Sequence, residues 1–256
     1  PAAGALNSTD DYSQAAQATA EERREAEAEF TSPEVSLREM VLIPAGWFAM
    51  GEHANRGNPD EHPRHQVELS AYYIDRSAVS NGEYEEYDPR HRRLRPEVAD
   101  GDHDPVVFVT YQEALGYCRW RAKQEGVPFD TYTLPTEAQW ERAARGGYAQ
   151  RVYPWGNEIV PEACNCRETA RERTVPVDEG VPNGFGLFHM GSNVREWCLD
   201  YYSESHYETR EASGPDPRGP HPSMMVNMNV VRGTSFQDLA QELGRCAARN
   251  YAHPKS

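Results

Sequence analysis

R-G-T-S-F-Q-D-L-A-Q-E-L-G-R-C-A-A-R-N, residues 232–250, is the stretch on which the reading of this 256-residue chain turns. Arg232 opens it, and Arg245 and Arg249 flank its single cysteine, Cys246. The ten residues 236–245 between the two ends hold no cysteine and only two acids, Asp238 and Glu242. That interval therefore offers no thiolate. Just upstream, Val230 and Val231 give a short strand signal that stops at Gly233.

Three helices announce themselves further upstream through one device. Ser80 precedes Glu83, Thr110 precedes Glu113, and Thr136 precedes Gln139. Each pair is a capping box, in which the hydroxyl accepts an orphan N–H and the Glu or Gln reaches back to the cap residue. After Thr110, Ala114, Leu115, Cys118 and Ala122 recur at helical spacing. After Thr136 the apolar stripe is Trp140, Ala143 and Ala144, and Gly146 suits a left-handed stop. Strand signals are short: residues 41–43, 67–69, 106–109 and 230–231. Short strands, few helices and many Gly, Pro and Asn residues between them predict an α+β domain rather than βαβ repeats.

Residues 38–256 are long enough for a single core. A net charge of −15 speaks against nucleic acid, since phosphate binding needs a basic face. No run of about 18 apolar residues is present to span a membrane. Residues 1–37 read as a separate polar arm. Within it, residues 15–30 are rich in helix formers but lack an apolar stripe, which suits a solvated helix, a linker or an arm that docks on a partner. The chain begins at Pro1 without Met, so an upstream piece, such as a signal peptide, is expected.

Six further stretches stand in order before residues 232–250. They are M-V-L-I-P-A-G-W-F-A-M-G (40–51), H-Q-V-E-L-S-A-Y-Y-I-D-R-S-A-V-S-N-G-E-Y (65–84) and P-V-V-F-V-T-Y-Q-E-A-L-G-Y-C-R-W (105–120), followed by L-P-T-E-A-Q-W-E-R-A-A-R-G-G (134–147), Y-P-W-G-N (153–157) and P-N-G-F-G-L-F-H-M-G-S-N-V-R-E-W (182–197). Together with the R-G-T-S and R-C-A-A-R-N ends, they resemble the formylglycine-generating enzyme (sulfatase-modifying factor) family. The resemblance implies that family's variant of the C-type lectin fold, with short twisted strands, few helices and long ordered loops. It also implies what is missing. Catalytic members carry two cysteines in the interval that corresponds to 236–245, bind copper(I) there and activate oxygen. This chain has Asp238 where the first cysteine would stand, so copper-dependent formylglycine formation is not expected. Both disulfides implied by the family are broken as well. The partner position of Cys246 falls near Ala144, and that of Cys118 falls in a final G-F-R strand; the sequence given stops at H-P-K-S, so either that strand is missing from it or the sheet closes differently.

Candidate sites follow. The resemblance implies a calcium loop at His189, Ser192, Val194 and Glu196. Backbone carbonyls and a carboxylate suit calcium, whereas an imidazole at 189 suits a transition metal better. A second calcium site of the family would start at Asn165, but the acidic stretch that completes it is absent here. Cys164, Cys166 and Cys198 are either buried thiols or include a bridge to Cys198. His53, His62 and His65, with Asp60 and Glu61, could ligate a metal but read first as loop histidines. Trp140 and Trp197 are expected in the core.

Two functions compete. One is a non-catalytic binding or accessory subunit of an extracytoplasmic (periplasmic) assembly, holding a protein partner through its loops or N-terminal arm. The other is an enzyme of altered chemistry, such as an oxidative maturation step on a peptide or redox protein. In it Asp238, Glu242, Ser235 and Arg249 would line the old cleft, with either acid as general base.

Overall fold

A computed structural model of the chain describes residues 38–221 and 227–256. The polar arm, residues 1–37, lies outside the described residues. Three small sheets carry the domain. Strand β1 (Met40–Ile43) pairs antiparallel with β4 (Tyr72–Asp75). The second sheet has the order β2 (Gly46–Met50), β3 (His65–Leu69), β6 (Gly214–Pro215). The third has the order β5 (Glu196–Tyr201), β7 (Asn229–Arg232), β8 (Asn250–Ala252). Three α-helices, α1 (Asn81–Tyr87), α2 (Tyr111–Glu125) and α3 (Glu137–Arg145), complete the regular structure among the described residues, with several short 3-10 turns. The expected α+β class and the family's fold are both present.

All three capping boxes form. Ser80, Thr110 and Thr136 each accept from the N3 backbone, and Glu83, Glu113 and Gln139 each accept from the cap residue's own N–H. Helix α3 ends at Gly146, φ +60°, as its sequence predicts. A side chain there would meet the backbone N of Gly184 at 2.8 Å, so close packing as well as conformation selects glycine. The third of the four expected strands, residues 106–109, does not form. Its backbone pairs with no sheet strand; the neighbouring Pro105 makes an isolated bridge with Ser80, the cap residue of α1. At its centre Phe108 has φ +58° and is 69% exposed, so neither a ladder nor a core face can use it.

The core centres on α3. Trp140, Ala143 and Ala144 pack with Ile43, Leu187, Val230 and Cys246. The adjoining face of α3, Glu137, Glu141 and Arg145, is charged but equally buried. Arg232 from β7, fully buried, donates to Glu137 at 2.8 Å and Glu141 at 2.9 Å. Arg249 makes a fork onto Glu137, at 2.8 and 2.9 Å, and Arg145 donates to Glu141 at 2.6 Å. Arg245 forks onto buried Glu61, at 2.5 and 2.6 Å. The arginines of residues 232–250 thus point inward and lock that segment onto α3 and the 52–64 loop through charge-assisted bonds.

Candidate functional site

A cavity of about 700 Å³ opens between α2, the 105–109 segment, β4 and the start of β5. Apolar walls dominate. Phe108, Val109, Ala114, Trp197, Phe236 and Tyr251 contribute to them. Trp197, expected in the core, is instead a half-buried wall residue whose indole N–H donates to Val109 O at 2.9 Å. Trp140 is fully buried, as expected.

The polar floor is built by β5 and the turn after β7. Asp238 accepts a bidentate pair from Arg195, at 2.9 and 2.7 Å. It also accepts from the backbone N–H and the hydroxyl of Ser235, at 3.0 and 2.7 Å. Burial opposes its ionisation, but Arg195 and Ser235 outweigh burial and hold its carboxyl below the usual range. A carboxylate so saturated is a poor general base, because its lone pairs are taken. The structure therefore divides the acid–base set. Ser235 and Asp238 line the cavity together, but Glu242 and Arg249 do not. Glu242 is exposed on a π-helical turn, Ala240–Gly244. Arg249 is buried on Glu137 and lies against the rings of Tyr202 and Tyr207.

Two more acids line the cavity, Asp75, which accepts from Arg121 at 2.8 Å, and Glu196. Glu196 is the one without an arginine partner in the cavity wall. Its Oε2 accepts from the Trp140 indole N–H at 2.6 Å. Burial pushes its pKa up to about 7, against the pull of that one hydrogen bond. It can hold or release a proton near neutrality, which is the poise of an acid–base group or of a carboxylate that awaits a cation.

The expected calcium ligands fit that ion only in part. Glu196 and Val194 reach the cavity. The Ser192 carbonyl already accepts from Val194 N–H at 2.8 Å. His189, at φ +51°, turns its ring toward the backbone of Pro176, Glu179 and Gly180. Burial lowers its pKa. One carboxylate, two carbonyls and an imidazole fall short of the six to eight oxygens that calcium takes. At the second expected calcium position, the Asn165 amide N–H₂ donates to Arg173 O and Asn193 Oδ1, each at 2.9 Å.

The loop histidines scatter. His53 faces Arg64, His62 faces Arg56 O, and His65 faces Pro63 O. Glu61 is taken by Arg245, while Asp60 accepts from the Tyr202 hydroxyl at 2.8 Å. Among the described residues no group of three His, Cys, Asp or Glu side chains is placed to hold a metal. All five cysteines are free thiols. Cys198 packs in the α3 core and Cys164 with Cys166 in a separate cluster, so no bridge joins them.

Sequence reading missed Phe108, Arg195 and Glu196 as partners around one cavity. Arg195 and Glu196 sit in a motif read for calcium alone, and P-V-V-F-V carries a strand's composition without a strand's pairing.

The chain is 31% identical to the formylglycine-generating enzyme of Thermomonospora curvata, over 80% of this chain and 84% of that protein. It is 34% identical to serine/threonine-protein kinase pkn1 of Chlamydia pneumoniae, over 90% of this chain but 38% of that longer protein. The structure of PvdO from Pseudomonas aeruginosa superposes with a TM-score of 0.73 at 25% identity, covering 89% of this chain and 95% of that one. With residues 25–256 matched by the model of the sulfatase-modifying factor enzyme 1-like domain, the chain belongs to that family.

Proposed function

We propose that this domain is a non-catalytic member of its family, a binding or accessory module that holds a partner in the cavity beneath Phe108. One observation carries the reading. The place where the resemblance puts a catalytic thiol is filled by Asp238, already saturated by Arg195 and Ser235, while the cavity around it stays open and mostly apolar. An aromatic side chain exposed at the rim, on a backbone conformation that L residues avoid, is the kind of local strain that persists where a ligand contact uses it. The partner is proposed to be a protein met outside the cytoplasm, with the N-terminal arm sharing the contact. Among the described residues no helix is long and apolar enough to cross a membrane.

Phe108→Asp tests the reading without touching the core. Native mass spectrometry of the protein isolated from its own host should show a stoichiometric partner on the parent chain and at least a tenfold loss of it on the variant. Equal retention by both would sink the cavity as the binding surface. Deleting residues 1–37 separates the arm's share from the cavity's.

Glu196, poised near neutrality in the same cavity, favours the second reading, an enzyme of altered acid–base chemistry. Turnover of a candidate peptide that disappears in Glu196→Gln while Phe108→Asp keeps it would select that reading. A structural calcium ion neutralising Glu196 is also a proposal. A hundredfold excess of calcium over its Kd should add roughly 2.7 kcal/mol to the parent and nothing to Glu196→Gln. Coincident melting curves with calcium and with chelator remove the ion.

A further inference from the structure

Cys164 and Cys166 lie outside the cavity in a turn that the proposed function does not use. Their Sγ atoms are 3.6 Å apart, and both side chains are buried, at 3% and 0% exposure. The turn between them is pinned from several directions. The Asn165 amide donates to Arg173 O and Asn193 Oδ1. The Cys166 N–H donates to the Thr169 hydroxyl at 3.2 Å. The Arg167 N–H donates to Asp238 O at 2.9 Å, and Glu168 accepts from the Ala240 N–H at 3.0 Å. Two thiols are therefore held in contact by backbone and side-chain bonds rather than meeting by chance at a mobile surface. With no third His, Cys, Asp or Glu placed to complete a metal set among the described residues, the pair lacks the four ligands of a structural zinc site.

We infer that Cys164 and Cys166 form a redox pair, which a hydroperoxide closes to an intramolecular disulfide. Cys166 is the attacking thiol. Its thiolate attacks the distal oxygen of the hydroperoxide, the O–O bond breaks, the sulfur keeps that oxygen as a sulfenic acid, and the proximal oxygen leaves as alcohol or water with the proton that Cys166 released. Cys164 then gives up its proton, its sulfur attacks the Cys166 sulfur, and hydroxide departs as water with that proton. The two thiols lose two electrons and two protons, and the hydroperoxide is reduced by the same two electrons. The acidity of the pair supports this order. Contact with Cys164 pulls the Cys166 pKa down against burial and the neighbouring Glu168 carboxylate, whereas the same contact together with burial pushes Cys164 up. The thiolate is the nucleophile. The remaining thiols are poorer candidates. Burial pushes Cys118 up to about 11, Cys246 up to about 12 and Cys198 well above its ordinary value.

Residues 152–167 form one tryptic peptide holding Cys164 and Cys166 and no other cysteine. Full-length reduced protein is treated with stoichiometric hydrogen peroxide, denatured, alkylated and mapped by mass spectrometry. The expected result is that this peptide loses both alkylation sites and the mass of two hydrogens. After dithiothreitol it regains both sites, while Cys118, Cys198 and Cys246 stay alkylated throughout. Double alkylation of the peptide after peroxide overturns the inference, as does a disulfide from it to the Cys198 peptide or irreversible oxidation of one thiol. Cys164→Ser should stop at the sulfenic acid, which dimedone traps on Cys166. Should that variant fail to fold, the parent's peptide map decides alone.

Discussion

Arg232→Met should cost about 3–5 kcal/mol of folding stability, a large share of the roughly 5–15 kcal/mol that a domain possesses. Arg232 is fully buried and bridges two acids on adjacent turns of α3, Glu137 and Glu141, while also donating to Cys246 O at 2.5 Å. Its removal leaves Glu141 to Arg145 and Glu137 to Arg249 alone, with less positive charge to offset buried negative charge. Urea denaturation of parent and variant measures the difference. A loss below about 1 kcal/mol would mean that water or a rearranged Arg145 replaces the guanidinium, and the locking role would be wrong. The same cluster sets an acid limit. Burial favours neutral Glu137, but Arg249 and Arg232 outweigh it and hold the carboxyl down from 4.5 to about 2. A depressed carboxylate contributes stability that is full above its unfolded value and fades as pH falls through its folded one. The window is therefore from about 4.5 to about 2, and the contribution at stake is roughly 3 kcal/mol. Arg232→Met should begin to unfold at higher pH than the parent.

The expectations held where local chemistry decides the outcome. A capping box needs only four residues, and all three formed. The stripe of Trp140, Ala143 and Ala144 needs one helix turn more, and it became the core. Spacing says nothing about which charges meet. Arg232, Arg245 and Arg249 read as a motif, but their partners lie 91–95, 184 and 112 positions away on α3 and in the 52–64 loop. The buried face of α2 follows the same rule. Arg121 and Glu125 are buried there because Asp75, 46 positions distant, completes the pair. Composition also misled at residues 106–109. Val and Phe fit a pleated, half-buried surface, but a strand needs a neighbour with free backbone, and this segment has only a single bridge at Pro105. The cavity arises from that failure, since a chain that does not pair leaves space beside α2.

Incubated with copper and a sulfatase-type cysteine peptide, the purified protein should form no aldehyde. The resemblance assigns that reaction to two thiolates gripping copper(I), a soft ion that selects sulfur. Residues 236–245 offer a carboxylate instead. Asp238 is hard, hydrogen-bonded on both oxygens and neutralised by Arg195. Asp238→Cys should not restore the reaction, because one thiolate does not make a pair. It should break the Arg195 fork and loosen the turn at Ser235, which a lower melting temperature would register. Copper binding to Cys164 and Cys166 would not mimic the activity either. Those thiols are buried in their own cluster with Tyr153 and Ala240, and no substrate cysteine can reach an ion there without unfolding the turn. Mass spectrometry of the peptide decides the matter. Copper-dependent conversion of its thiol to an aldehyde, abolished in Cys164→Ser or Cys166→Ser, would show that catalysis has moved to the second pair, and the binding-module reading would give way to an enzyme.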